Sequence, residues 1–95
     1  MGTQLEIVEQ SISTQKWKVA QKELNTAQIR WENNKTWWTV LLDHQEIDNI
    51  DLSMNRLEKY IATQDISLSL AEVTTLKLQV DHISDSEKPN LQNIL

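Results

Sequence analysis

The chain has 95 residues, a formal net charge of −5, one glycine, one proline and no cysteine. Scarce glycine and proline exclude a turn-rich all-β fold, and the lack of cysteine excludes a disulfide framework, a thiol nucleophile and a thiolate metal site. Its nine Lys/Arg form no basic cluster, so nothing here meets a phosphate backbone, and nucleic acid is not an expected partner.

Helix-forming Gln, Leu, Glu, Lys and Ala predict an all-α fold, with residues 1–95 as a single helical domain. The first predicted helix covers about 4–13, where Leu5, Val8 and Ile12 fall at i, i+3 and i+7. Ser13 or Thr14 is the expected cap of the next helix. That helix, about 15–34, carries Trp17, Ala20, Leu24, Ala27 and Trp31 at steps of three and four. The same seam runs on through Asn34 to Trp38 and Leu41. Asn33-Asn34 and a Thr36 cap favour a break there. The unbroken seam favours one long helix, straight or kinked, through residues 16–62.

The third predicted helix, about 36–62, carries Val40, His44, Ile47, Ile50, Met54, Leu57 and Ile61 on one face. Trp37, Leu41 and Tyr60 widen it, while Asp43, Glu46, Asp48, Asp51 and Glu58 take other faces. Asp65 suits the N-cap of a fourth helix, about 66–85. Its stripe is Ile66, Leu70, Val73, Leu76, Val80 and Ile83, with Leu68 and Leu78 lying off it. Pro89 closes this region, and Leu91, Ile94 and Leu95 predict a short turn at 90–95. No repeat of fixed period stands out. The expected architecture is an antiparallel hairpin, 36–62 against 66–85, in a bundle of three to four helices.

Candidate chemistry is sparse. His44 and Asp48 stand four residues apart on one helix. An antiparallel hairpin brings His82 to a similar height, so His44, Asp48 and His82 are the candidate metal or small-ligand residues. The plainer reading of His44 is a half-buried histidine bonded to a carboxylate or a carbonyl. Asp43, Glu46, Asp48 and Asp51 lack the glycine and the terminal glutamate of a calcium loop, and they read as a solvated face. Trp17, Trp31 and Trp38 read as core. Trp37 and Trp38 are adjacent and cannot both point inward, so this pair is the candidate contact with a protein partner or a second copy. No nucleophile triad, phosphate loop or glycosidase-like carboxylate pair occurs. The expectation is a non-enzymatic interaction module without a cofactor. No run of about twenty apolar residues predicts a membrane span, and the N-terminus does not have the pattern of a signal peptide.

The stretch WWTVLLDHQEIDNIDLSMNRLEKYIATQD, followed by LAEVTTLKLQVDHI and LQNIL, resembles a family of short helical proteins from clostridia and related Gram-positive bacteria, known only as a domain of unknown function. The matching features lie within about 15–95: the tryptophan before an aliphatic run, Asp43-His44-x-Glu46-Ile47-Asp48, Leu57 to Tyr60-Ile61, Asp65, His82-Ile83 and Asn93-Ile94-Leu95. The resemblance implies a helical part held outside the cytoplasm by an N-terminal hydrophobic anchor. Any membrane contact would then run through a segment absent from this chain. It implies no substrate, cofactor or catalytic residue.

Overall fold

Five helices make up the computed structural model, which describes residues 3–82: α1 (Thr3–Ser13), α2 (Trp17–Asn33), α3 (Lys35–Leu41), α4 (His44–Ala62) and α5 (Ile66–Asp81). The all-α expectation holds. α1 packs on α2, α2 on α4, α4 on α5 and α5 back on α1, closing a four-helix ring. Near the end of α2, Trp31 meets Asp51, which lies in the first half of α4. At the other end Lys18 and Lys22 border Glu58 and Ile61, so α2 and α4 run antiparallel. Arg56 reaches Glu72 across the α4–α5 hairpin, and Lys77 of α5 reaches Glu9 of α1 at 3.0 Å. The end of the predicted fourth helix, Ile83 included, and the turn at 90–95 lie outside the described residues.

The core follows the periodic stripes. Leu5, Val8 and Ile12 of α1 meet Ala20, Leu24, Ala27 and Trp31 of α2. From the other hairpin come Ile47, Ile50, Met54, Leu57 and Ile61 of α4, with Val73, Leu76 and Val80 of α5. Trp17, Ile66 and Leu70 are partly buried against this cluster. Burial of this apolar surface, at about 25 cal/mol per Å², is the main driving force for assembly.

Both hairpin turns are built alike. Gln15 and Gln64 have φ of 59° and 57°, the left-handed region that glycine usually occupies. In the first turn Lys16 N–H donates to Ser11 C=O and Gln15 N–H to Ile12 C=O. In the second, Asp65 N–H donates to Tyr60 C=O and Gln64 N–H to Ile61 C=O. This is the Schellman termination, in which two orphan carbonyls of the closing helix are satisfied by the residues that leave it. Thr14 and Thr63 precede these glutamines, and their hydroxyls donate back to Gln10 C=O and Lys59 C=O. Thr14 therefore closes α1 instead of capping α2. The cap residue of α2 is Lys16, which makes no side-chain cap bond. Asp65 caps α5 as expected, its carboxylate accepting from Leu68 N–H.

The identical Thr-Gln turns expose a repeat that the linear pattern hides. An offset of 49 residues, from Thr14 to Thr63, superposes the two hairpins in sequence. It pairs Leu5 with Met54, Val8 with Leu57, Ile12 with Ile61, Leu24 with Val73, Ala27 with Leu76 and Trp31 with Val80. Every member of these pairs is buried. The bundle is thus two equivalent hairpins, joined by α3. Replacing Gln64 by glycine removes a left-handed penalty of about 1–2 kcal/mol and adds about 0.5–1 kcal/mol of unfolded-chain entropy. Gln64→Gly should therefore gain roughly 0.5 kcal/mol or more, read as a higher urea midpoint at constant slope.

The helix predicted over 36–62, and the longer one over 16–62, do not form. At Asn34, φ −108° and ψ 7°, the path kinks between α2 and α3. At Leu42 (φ −111°, ψ 152°) and Asp43 (φ −76°, ψ 166°) it becomes extended. Asp43 and Glu46 form a capping box. The Asp43 carboxylate accepts from Glu46 N–H at 2.9 Å, while the Glu46 carboxylate accepts from Asp43 N–H at 3.2 Å. Two donors at the head of α4 are satisfied reciprocally, which favours a new start over continuation. The predicted Thr36 start is displaced as well, since α3 begins at Lys35.

Candidate functional site: the α3 elbow

The break at 42–43 shifts the helical phase. Leu42 turns inward, while Val40 is 80% exposed and Leu41 stays outside. His44, expected in the apolar stripe, is exposed at the first turn of α4. This corrects the half-buried reading of that histidine.

Three tryptophans organise the elbow. Trp31 and Trp38 are buried and stacked, with ring centroids 6.2 Å apart and planes 22° apart. Trp37 meets Trp38 edge-on at 4.8 Å and 66°. Such offset-stacked and edge-to-face geometries suit the ring quadrupoles. Consecutive residues on a helix point about 100° apart, so burying Trp38 completely leaves Trp37 44% exposed. Of the tryptophan pair expected to offer a contact, Trp38 lies inside the core, and Trp37 alone faces out. It shares its face with Val40 and Leu41, at i, i+3 and i+4. By spacing alone both aliphatic residues belong to the core stripe.

Asp51 locks this elbow to α4. Its Oδ1 accepts from the buried Trp31 indole N–H at 2.7 Å. Its Oδ2 pairs with Lys35 Nζ at 2.7 Å, and Lys35 also reaches Glu32 at 3.4 Å. The hydrogen bond that Lys35 donates to Asp51 holds its ammonium above the ordinary lysine value of 10.5, against an opposing effect of burial. Asp51 was expected on a solvated acidic face. It is instead the polar tie among α2, α3 and α4, and an acid four residues after Ile47 gave no signal of that. Among the described residues the buried Trp38 indole N–H has no acceptor. The rigid part of the elbow is therefore Trp31–Asp51–Lys35, and the free apolar surface is Trp37–Val40–Leu41.

The histidine site does not assemble as predicted. His82 lines a cleft of ≈ 250 Å³ with Glu46, Asn49, Ile50 and Gln79. His44 and Asp48 are not among its walls, and both are exposed. Among the described residues no group of three His, Asp or Glu side chains is placed to hold a metal ion. The physical reason is the capping box: it puts His44 at the open end of α4, away from the face that meets α5.

Among the described residues no helix is long and apolar enough to cross a membrane. No curated protein and no solved structure matches the chain. One family model spans nearly all of it, residues 1–94, including the helical hairpins and the elbow between them. By that match the chain belongs to the family described as domain of unknown function DUF4363.

Proposed function

We propose that this protein is a non-enzymatic helical interaction module, whose contact surface for a protein partner is the outward face of α3. The observation that carries the reading is the placement of Trp37, Val40 and Leu41. All three are exposed on one face of a short helix, whose other side is fixed by Trp38 and Leu42. An indole held rigid by its neighbour loses little entropy on binding, which is why tryptophan anchors so many interfaces. In this reading the module stands outside the cytoplasm of a bacterium, at the membrane, as the family resemblance implies. Its role is recognition.

A photo-crosslinking amino acid at Val40, in cells of a natural host, tests the surface directly. The expected result is one dominant adduct to a protein from position 40. The same probe at Asp48, exposed on α4, should give none, and Trp37→Lys in the position-40 variant should abolish the adduct. Equal adduct patterns from positions 40 and 48, or none from position 40, would remove α3 as the contact.

A further inference from the structure

Charge is distributed unevenly along the bundle. α3 joins the end of α2 to the start of α4, whereas the two Thr-Gln turns stand at the start of α2 and the end of α4. The turns are therefore at the far end from α3. Residues 14–22 carry Lys16, Lys18 and Lys22 and no acid, and residues 58–65 carry Lys59 with Glu58 and Asp65. At the elbow the balance reverses. Residues 32–51 carry Glu32, Asp43, Glu46, Asp48 and Asp51 against Lys35 alone. Lys35 is paired with Asp51 at 2.7 Å, and Arg30, just before this stretch, donates to the Gln4 side chain of α1. Most of the chain's net charge of −5 arises in this one stretch.

The acids bracket the apolar face of α3. This helix has seven residues and is about 10.5 Å long at 1.5 Å per residue. Glu32 lies beyond its N-terminal end, with a side chain 61% exposed and 3.4 Å from Lys35. Asp43 is exposed two residues past Leu41, so its Cα is within about 7 Å of that of Leu41. The capping box draws the Glu46 carboxylate to the same place. Trp37, Val40 and Leu41 thus form an apolar centre with carboxylates at both ends.

On the reading of α3 as the contact surface, we propose that the partner protein presents a short basic amphipathic segment. Its apolar side chains cover Trp37, Val40 and Leu41, and a Lys or Arg at each end meets Glu32 and Asp43. An apolar core within a polar rim is the ordinary anatomy of an interface. Opposite charges across the rim speed encounter and reject acidic competitors, and an arginine over the exposed Trp37 ring gains cation–π attraction. The same rim disfavours other occupants. Nucleic acids and anionic lipids present phosphates to it, and a second copy of this chain presents the same acids.

The photo-crosslinking amino acid at Val40 is the probe, used in host cells and in their lysate, with the cross-linked segment sequenced by mass spectrometry. Glu32→Gln/Asp43→Ser removes both rim charges and keeps the α4 cap, since serine is as good as aspartate there. Asp48→Asn removes a charge from α4 at a position where the probe itself should find no partner. The expected segment has more Lys and Arg than Asp and Glu. Its adduct should fall at least about fivefold in the double variant and be unchanged in Asp48→Asn. Raising lysate salt from about 0.05 to about 0.5 M should lower it as well, because screening weakens attraction between exposed charges. A neutral or acidic segment overturns the inference, as does an adduct to lipid or to a second copy. So does an adduct indifferent to the double variant and to salt, or one that Asp48→Asn lowers equally. An adduct to a protein that ignores charge leaves α3 standing as the contact and removes only its basic partner. No adduct from position 40 removes both.

Discussion

Trp38→Ala is expected to lower the unfolding free energy by about 3–5 kcal/mol, the cost of emptying a buried aromatic site. Small domains have about 5–15 kcal/mol in all, so much of the population should unfold at moderate denaturant. Trp38 has no exposed surface, stacks on Trp31 and supports Trp37 edge-on. Its loss should therefore loosen α3 as well as destabilise the bundle. Two conservative variants separate packing from hydrogen bonding. Trp38→Phe removes an N–H that has no acceptor among the described residues, so it should cost volume alone. Trp31→Phe removes similar volume and also the donor to Asp51, which adds about 1.5–3 kcal/mol for a bond to a charged group. Urea titrations of the three variants read these differences. A Trp38→Ala value within about 1 kcal/mol of wild type would mean that the elbow is not part of the cooperative core.

The periodic stripes made most of this fold legible. Leu5 to Ile12, Ala20 to Trp31, Ile47 to Ile61 and Val73 to Val80 are buried where spacing put them. The pattern fails at the elbow because periodicity is blind to a phase reset. Val40 and His44 continue the stripe of Ile47 only if the helix is unbroken, and Asp43-x-x-Glu46 breaks it. That signal stands in the sequence as an acid followed by a glutamate three residues later, inside a run of acids that has the look of a solvated face. The Thr-Gln turns escaped for another reason: a left-handed position filled by glutamine carries none of the usual glycine mark. Of the tryptophan pair, adjacency says only that one ring faces out, and the place of Trp37 off the Trp17–Trp31–Trp38 seam says which. The role of Asp51 was not legible, since it depends on which residue of α2 arrives opposite it.

The pair formed by Glu72 and Arg56 should respond asymmetrically to mutation. The Glu72 side chain is 9% exposed and the Arg56 side chain 43%, so the two charges differ in what they lose when left alone. Arg56→Met strands a carboxylate inside the α4–α5 contact, where desolvation is uncompensated. The expected result is a clear fall in the urea midpoint, since removing one partner leaves the other charge uncompensated. Glu72→Met leaves a guanidinium that can turn to water, and the expected loss is the smaller of the two. In the double variant two unbranched apolar chains fill the same space. Replacing a buried pair in this way is commonly neutral or stabilising, so Arg56→Met/Glu72→Met should lie near wild type. A double-mutant cycle by urea unfolding reads all three values. Equal losses in the two single variants would show that Glu72 is hydrated through the α4–α5 seam. The tie would then contribute as an ordinary surface pair.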